Sequence, residues 1–251
     1  MKLKEWMRCN KMNELTIVLP TWNAGFVLSQ TIDSIYAQTN DDFKVIIIDD
    51  NSTDSTRDIL EEIDDDRFYI KYLDKRAGAG NARNIGNSLA NTKLISVLDA
   101  GDILYNDKVD ESINYFKNNQ DIDIMCAATD SLAGGDPIIP RVFKGEHGEK
   151  LGFEHPGVTY KKKVTNEIKY RTTSLETDQY DAFFFEAGRA GFKFGVYEKP
   201  LSSKCTFDKY TGGRDLDKAL LVKANIYREF GVKIPDWLEY HEKQFKQGDN
   251  L

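Results

Sequence analysis

The sequence predicts an α/β domain with a mostly parallel central sheet flanked by helices. Three observations point there. Short apolar runs rich in β-branched residues alternate with amphipathic stretches of helical period. The connections between them are short, which favours parallel strands joined by crossover helices. Three of the strands run out into acidic or amide-bearing residues: Thr21 to Asn23, Asp49 to Asn51, and Asp99 to Asp102. In open parallel sheets ligands bind beyond the carboxyl ends of the strands, so these three exits define a candidate cleft.

The elements follow in order. Residues 15–19, LTIVL, form a buried strand that Pro20 is expected to stop. Residues 26–37 place Phe26, Val27, Ile32, Ile35 and Tyr36 on one helical stripe. Residues 43–48, FKVIII, form the second strand, and Thr53 or Asp54 can cap a helix running to Ile63. A third strand over 68–73, a helix over 82–89 and a fourth strand over 94–98 complete the alternation. A helix over 107–118 and a strand over 122–127 come next. Residues 131–157 are rich in Gly and Pro and read as a long loop, of the kind that more often serves as a lid or binding element. Beyond it, strands are expected over 158–161, 192–196 and 201–207. Helices are expected over 179–190, over 214–230 and from Pro235 onward. The domain reading is an N-terminal extension over 1–13, one domain over 14–214, and a helical appendage over 215–251. Within the domain, 14–104 and 105–214 read as two parts.

Bulk properties remove several classes. The 251 residues are 40% hydrophobic and 30% charged, enough for an ordinary core. A net charge of -7 gives no long-range attraction to nucleic acid, which is not expected as a partner. The lysines at 161, 162 and 163 read as solvated surface. Cys9, Cys126 and Cys205 are too far apart for a zinc knuckle or a disulfide framework, which suits a reducing, cytoplasmic setting. No 18-residue apolar run exists for a transmembrane helix, and the first residues lack a signal-peptide core.

The motifs carry more chemistry. In SVLDAGDIL, residues 96–104, a strand runs into Asp99 and Asp102, and Gly101 permits a tight turn between them. Such a pair suits Mg2+ or Mn2+ if a diphosphate completes the shell, although a capped turn would look the same. Asp49 and Asp50 follow four apolar residues and can accept from a base N–H or a ribose hydroxyl. KRAGAGNARNIG, residues 75–86, has the wrong spacing and position for a dinucleotide fingerprint. Arg83, near a helix start, could reach a base, a phosphate or a carboxylate. No GxSxG exists to support a serine hydrolase. His155, within FEHPG, could bind metal or substrate, but the preferred reading is a loop histidine that does neither.

Three blocks, TIVLPTWNAGFVLSQTIDSIYAQT, FKVIIIDDNSTDST and GAGNARNIGNSLANTKLISVLDAGD, stand in an order and spacing that resemble the inverting family 2 glycosyltransferases of GT-A fold. The resemblance implies a catalytic domain over 14–214 and a nucleotide-diphospho-sugar donor, usually UDP-linked, held by residues 14–104 with 105–214 on the acceptor side. It places Pro20, Thr21 and Asn23 beside the nucleotide, and Asp50, helped by Asp49, on the base with Arg83 close by. Asp99 would touch the ribose or the metal-bound diphosphate, and Asp102 would ligate Mn2+ or Mg2+. The family usually has DxDD or DxD; here Gly101 stands at the middle carboxylate. In SLETDQYDAFFFEAGRAGFKFGVYEKPL, Asp178 or Asp181 would be the catalytic base, with Asp178 preferred for its place at the helix entrance. The histidine usual after the PL element is absent, and Lys204 or Arg214 would stabilise the leaving diphosphate. The acceptor would be a glycan, a lipid-linked intermediate or a protein. Two further readings remain open: a nucleotidyltransferase, or a nucleotide-sugar-binding module without activity.

Overall fold

A computed structural model describes Trp6, residues 13–131, 136–143, 150–172 and 179–204, and the single residues Arg228, Ile234 and Glu239. The expected helices over 214–230 and beyond Pro235, the candidate base Asp178 and the candidate cation Arg214 lie outside the described residues.

The strands are β1 (Leu15–Thr21), β2 (Phe43–Asp49), β3 (Phe68–Tyr72), β4 (Leu94–Val97), β5 (Ile103–Leu104), β6 (Ile124–Ser131), β7 (Arg141–Phe143), β8 (Lys150–Gly152), β9 (Val158–Lys161) and β10 (Phe194–Lys204). The helices are α1 (Leu28–Tyr36), α2 (Thr56–Glu61), α3 (Ala79–Leu89), α4 (Lys108–Asn118), α5 (Lys162–Glu167) and α6 (Gln179–Arg189). Eight strands form one mixed sheet in the order β3-β2-β1-β4-β9-β6-β10-β5, and β7 pairs with β8. The β3-β2-β1-β4 half is parallel throughout, as the short β-α alternation predicts. β9 runs antiparallel to β4 and to β6, and β5 runs antiparallel to β10.

The inner strands are covered on both faces, which explains why they read as unbroken apolar runs. Leu15, Ile17, Leu19, Val45 and Ile47 face one core with Leu28, Ile32 and Ile35 of α1. Val18, Ile46, Ile48 and Val97 face the other with Ala82 of α3 and Phe183 and Phe184 of α6. Alternate residues of a strand point to opposite faces, so one run supplies both cores. Trp6 joins the second core, with its indole on Tyr69 at 5.5 Å and its Nε1 donating to the Arg67 carbonyl at 3.3 Å.

Several expectations change in detail. Pro20 does not stop β1, which runs on to Thr21 opposite Asp49. The partnership with β4 ends at Val18, so Pro20 lies where β1 is paired on one side only. The two strands expected over 192–196 and 201–207 form one strand, β10, bent by register shifts on either side of Pro200; Phe207 lies outside the described residues. Residues 131–157 are not wholly loop, since they hold the β7–β8 pair and a 3-10 turn at His155–Gly157. The lysine run does not lie wholly on a solvated face: Lys161 and Lys162 are half-buried, and Lys163 is exposed.

Candidate active site

The carboxyl ends of β1, β2 and β4 meet. The Asp50 N–H donates to the Thr21 carbonyl at 2.8 Å, and Leu98 N–H donates to the Val18 carbonyl at 3.1 Å. Residues just past these ends build two neighbouring clusters.

The first cluster gathers Thr21, Asn23, Asp49, Asp50 and Ser52. Asn23 takes a left-handed backbone, φ 47°, and its N–H donates to Ser52 Oγ at 2.9 Å. Its side-chain oxygen accepts from Thr53 N–H at 2.8 Å, so this loop and the β2 exit are tied together. Asp49 is fully buried, and its Oδ2 accepts from Ser52 N–H at 3.2 Å and Arg57 Nε at 3.1 Å. Asp50 Oδ1 and Oδ2 accept the N–H groups of Ala77 and Gly78, each at 2.7 Å. Asp50 therefore shapes the loop leading into α3, and Gly78 fits it with φ 87°, a conformation that favours glycine. Thr21 Oγ1 and Asp49 Oδ1 are buried polar atoms without a hydrogen-bond partner among the described residues. Buried polar atoms are almost always paired, so both are suited to meet a ligand. Trp22 lies at the rim with the Arg76 guanidinium 3.4 Å from its ring centre, a pair the sequence reading passed over.

The second cluster is centred on Asp99. Arg83 Nη2 donates to Asp99 Oδ1 at 2.6 Å, and His155 Nδ1 lies 3.2 Å from Asp99 Oδ2. His155 Nε2 is 3.0 Å from the Tyr170 hydroxyl, and Tyr180 stacks on the imidazole at 5.5 Å. Burial alone would raise the Asp99 pKa, but Arg83 and His155 outweigh it and hold the carboxyl well below its ordinary range. Burial lowers the pKa of His155 in spite of Asp99, so the ring is neutral near pH 7. Burial likewise raises the Tyr170 pKa, keeping its proton on oxygen. One tautomer satisfies all three groups: Nδ1–H donates to Asp99, and Nε2 accepts from Tyr170. His155 is thus a buried structural partner of the site, a role the loop reading did not include. The only sequence signal was its place in a tight Pro-Gly turn.

Asp102 follows in the same turn, its N–H donating to the Asp99 carbonyl at 3.1 Å. Thr31 Oγ1 accepts from Gly101 N–H at 2.9 Å and donates to the Asp102 carbonyl at 2.9 Å, clamping the turn to α1. Gly101 has φ 102°. Lys204, the last residue of β10, donates to Glu154 and lies within electrostatic range of Asp102 and Tyr180. Burial lowers its pKa, but the neighbouring Glu154 more than offsets this and keeps the ammonium charged. Asp181 is buried in the first turn of α6, next to Tyr180. The described residues therefore place Pro20, Thr21, Asn23, Asp49, Asp50, Arg83, Asp99, Asp102, Asp181 and Lys204 at or beside the strand exits and the mouth of α6.

The fold and these exits define a GT-A-type α/β protein. Residues 16–200 match the model of Glycosyl transferase family 2, and the chain belongs to that family. It is 28% identical over 200 residues to an uncharacterized glycosyltransferase of Methanocaldococcus jannaschii, covering 74% of this chain and 69% of that one. It is 32% identical over 103 residues to the putative teichuronic acid biosynthesis glycosyltransferase TuaG of Bacillus subtilis, covering 40% and 41%. Among solved structures, S. aureus TarS in complex with UDP superposes with a TM-score of 0.64 at 15% identity, covering 89% of this chain and 67% of that one. The mannosyltransferase PcManGT of Pyrobaculum calidifontis, in complex with GDP-Man and Mn2+, gives 0.61 at 14%, covering 91% and 68%. At these identities the structures establish the fold.

The donor set can be compared with the divalent cation that the family resemblance implies. Both Asp99 oxygens are already engaged by Arg83 and His155. Gly101 brings no side chain to the turn, and Glu154 is paired with Lys204. Among the described residues no three His, Cys, Asp or Glu side chains assemble as a metal-holding group. A cation held jointly by Asp99 and Asp102 does not fit this arrangement.

Proposed function

We propose that the chain is an inverting glycosyltransferase that moves a hexosyl group from a nucleotide-diphospho-sugar, with uridine as the base, to an acceptor hydroxyl. The observation that carries the reading is the meeting of the β1, β2 and β4 exits, with Thr21 Oγ1 and Asp49 Oδ1 unpartnered among the described residues where β1 and β2 end. Relatives of the same fold support the donor class: TarS has been captured with UDP and with UDP-GlcNAc, and PcManGT with GDP-Man.

In this reading the nucleoside lies over Thr21, Asn23 and Asp50, and the loop that Asp50 pins closes one side of the base. The neutralised Asp99 turns toward the ribose. An inverting transfer needs one carboxylate to take the acceptor proton as its oxygen attacks the anomeric carbon. Asp178 and Asp181 are the candidates for that base. No cation on Asp99 and Asp102 enters the reading, for the reason given by the donor set. The buried thiol of Cys126 suits a cytoplasmic location, and no helix among the described residues is long and apolar enough to cross a membrane.

The test is release of nucleoside diphosphate from a panel of UDP- and GDP-sugars with simple acceptors, followed by NMR of the product's anomeric configuration. UDP release with inversion is the expected result. Retention of configuration would remove the single-displacement chemistry, and tight donor binding with no release from any donor would make the protein a binding module. Asp178→Asn and Asp181→Asn then identify the base, which should lose about 10²-fold or more in turnover.

A further inference from the structure

The DAGD turn and β10 bring unequal charges to the mouth of the sheet. Asp99 is balanced by the Arg83 guanidinium and hydrogen-bonded by the neutral His155, and Gly101 brings no side chain. Asp102 follows in the turn, with Lys204 in electrostatic range. The Lys204 side chain is one-third exposed and Glu154 about one-fifth, so the pair is partly screened yet open to an incoming ligand. A diphosphate arriving here meets an ammonium already in place.

We propose that Lys204 supplies the positive charge that holds the donor's diphosphate, exchanging its Glu154 partner for a phosphate oxygen, in place of a divalent cation on Asp99 and Asp102. The proposal rests on the nucleotide-sugar reading above. As the acceptor oxygen bonds to the anomeric carbon, the bond from that carbon to the diphosphate oxygen breaks, and its electron pair stays on the diphosphate. The acceptor proton passes to the base carboxylate. Lys204 keeps its proton throughout and stabilises the added charge as a fixed cation. Glu154 has a definite part: in the free protein it keeps the partly buried ammonium paired, and it must give way when phosphate arrives.

Calorimetric titration of UMP and UDP, each with excess EDTA and with millimolar MnCl2, tests this. In the wild type, UDP affinity should differ less than about threefold between the two conditions. Lys204→Met should weaken UDP tenfold or more in EDTA and change UMP much less, because the distal phosphate is the group it holds. Glu154→Gln should tighten UDP severalfold in EDTA, since it frees Lys204; a gain of affinity cannot come from misfolding. A tenfold or greater Mn2+ enhancement in the wild type that disappears in Asp102→Asn would overturn the proposal and establish a cation site. Unchanged or weaker UDP binding in Glu154→Gln would also overturn it. If the wild type binds neither UDP, GDP nor any UDP-sugar in either condition, the nucleotide-sugar reading itself falls, and this proposal with it.

Discussion

Asp50, proposed above to face the nucleoside, also has a structural role. Its two oxygens accept backbone N–H groups from Ala77 and Gly78 at 2.7 Å, fixing the loop before α3. Asp50→Asn keeps the shape but turns one acceptor into an NH2 facing an N–H. An unmet buried donor costs about 1–3 kcal/mol, so urea unfolding should register a loss of that order and UDP titration a weaker Kd. Unchanged stability would mean that the loop holds itself. Arg83 is the mirror case: Arg83→Met leaves Asp99 with His155 alone. Because Asp99 is 35% exposed, the full penalty of an orphaned buried charge must be discounted for solvent. The expected loss is about 2 kcal/mol in the urea midpoint series. At this scale the sequence was only half legible. Asp49, Asp50 and Asp99 were visible because they directly follow apolar strands, and Arg83 because it stands near a helix start in a Gly-rich stretch. His155, Tyr170 and Tyr180 were not, because their partners lie 56 residues upstream for His155–Asp99 and 15 residues downstream for His155–Tyr170. No local pattern encodes contacts at those separations.

The elements that carry the site are held by close backbone approach. Gly86 of α3 lies against Val18 of β1, where an added Cβ would meet Val18 Cγ1 at 2.5 Å. Gly86→Ala gains about 1 kcal/mol of helix propensity but overpacks a filled interface, at about 1–3 kcal/mol. The net expectation is a loss of about 1 kcal/mol by chemical unfolding. A displaced α3 also shifts Arg83, one turn earlier, so UDP affinity should fall together with stability. A more stable Gly86→Ala variant would show that the helix has room to move. The strands β1 to β4 were legible because both-face burial writes unbroken apolar runs. β5, with only Ile103–Leu104, was too short to show a period. β10 was split in two by Pro200, since a proline inside a strand normally argues against continuity. The chain keeps going there by shifting register around the proline.

Across the whole molecule, the two cores and the site are linked by a buried lysine. Lys108, in the first turn of α4, is fully buried and its Nζ donates to the Gly157 carbonyl at 2.9 Å. Gly157 closes the turn that carries His155, so a helix on one side of the sheet helps fix a ring beside Asp99 on the other. Burial pushes the Lys108 pKa down from 10.5 to about 7, against a smaller opposing effect from Cys126. The sign follows by linkage. Between about pH 7 and 10.5 the unfolded chain keeps a proton that the folded chain has released, so the Lys108 contribution to stability rises with pH across that window. It is complete above about 10.5 and falls away as pH drops toward 7. One proton gives a slope of about 1.4 kcal/mol per pH unit. Lys108→Met fills similar volume and carries no proton, so subtracting its melting curve cancels the groups the two proteins share. The difference in Tm, wild type minus variant, should therefore increase by several degrees from pH 7.5 to 9.5, at about 2–4 °C per kcal/mol for a domain of this size. Parallel curves would mean that Lys108 stays protonated in the folded protein, with its burial compensated in a way the Gly157 carbonyl alone does not explain. The same variant should loosen the His155 turn, which hydrogen exchange at the Val158 N–H can read independently of the pH series.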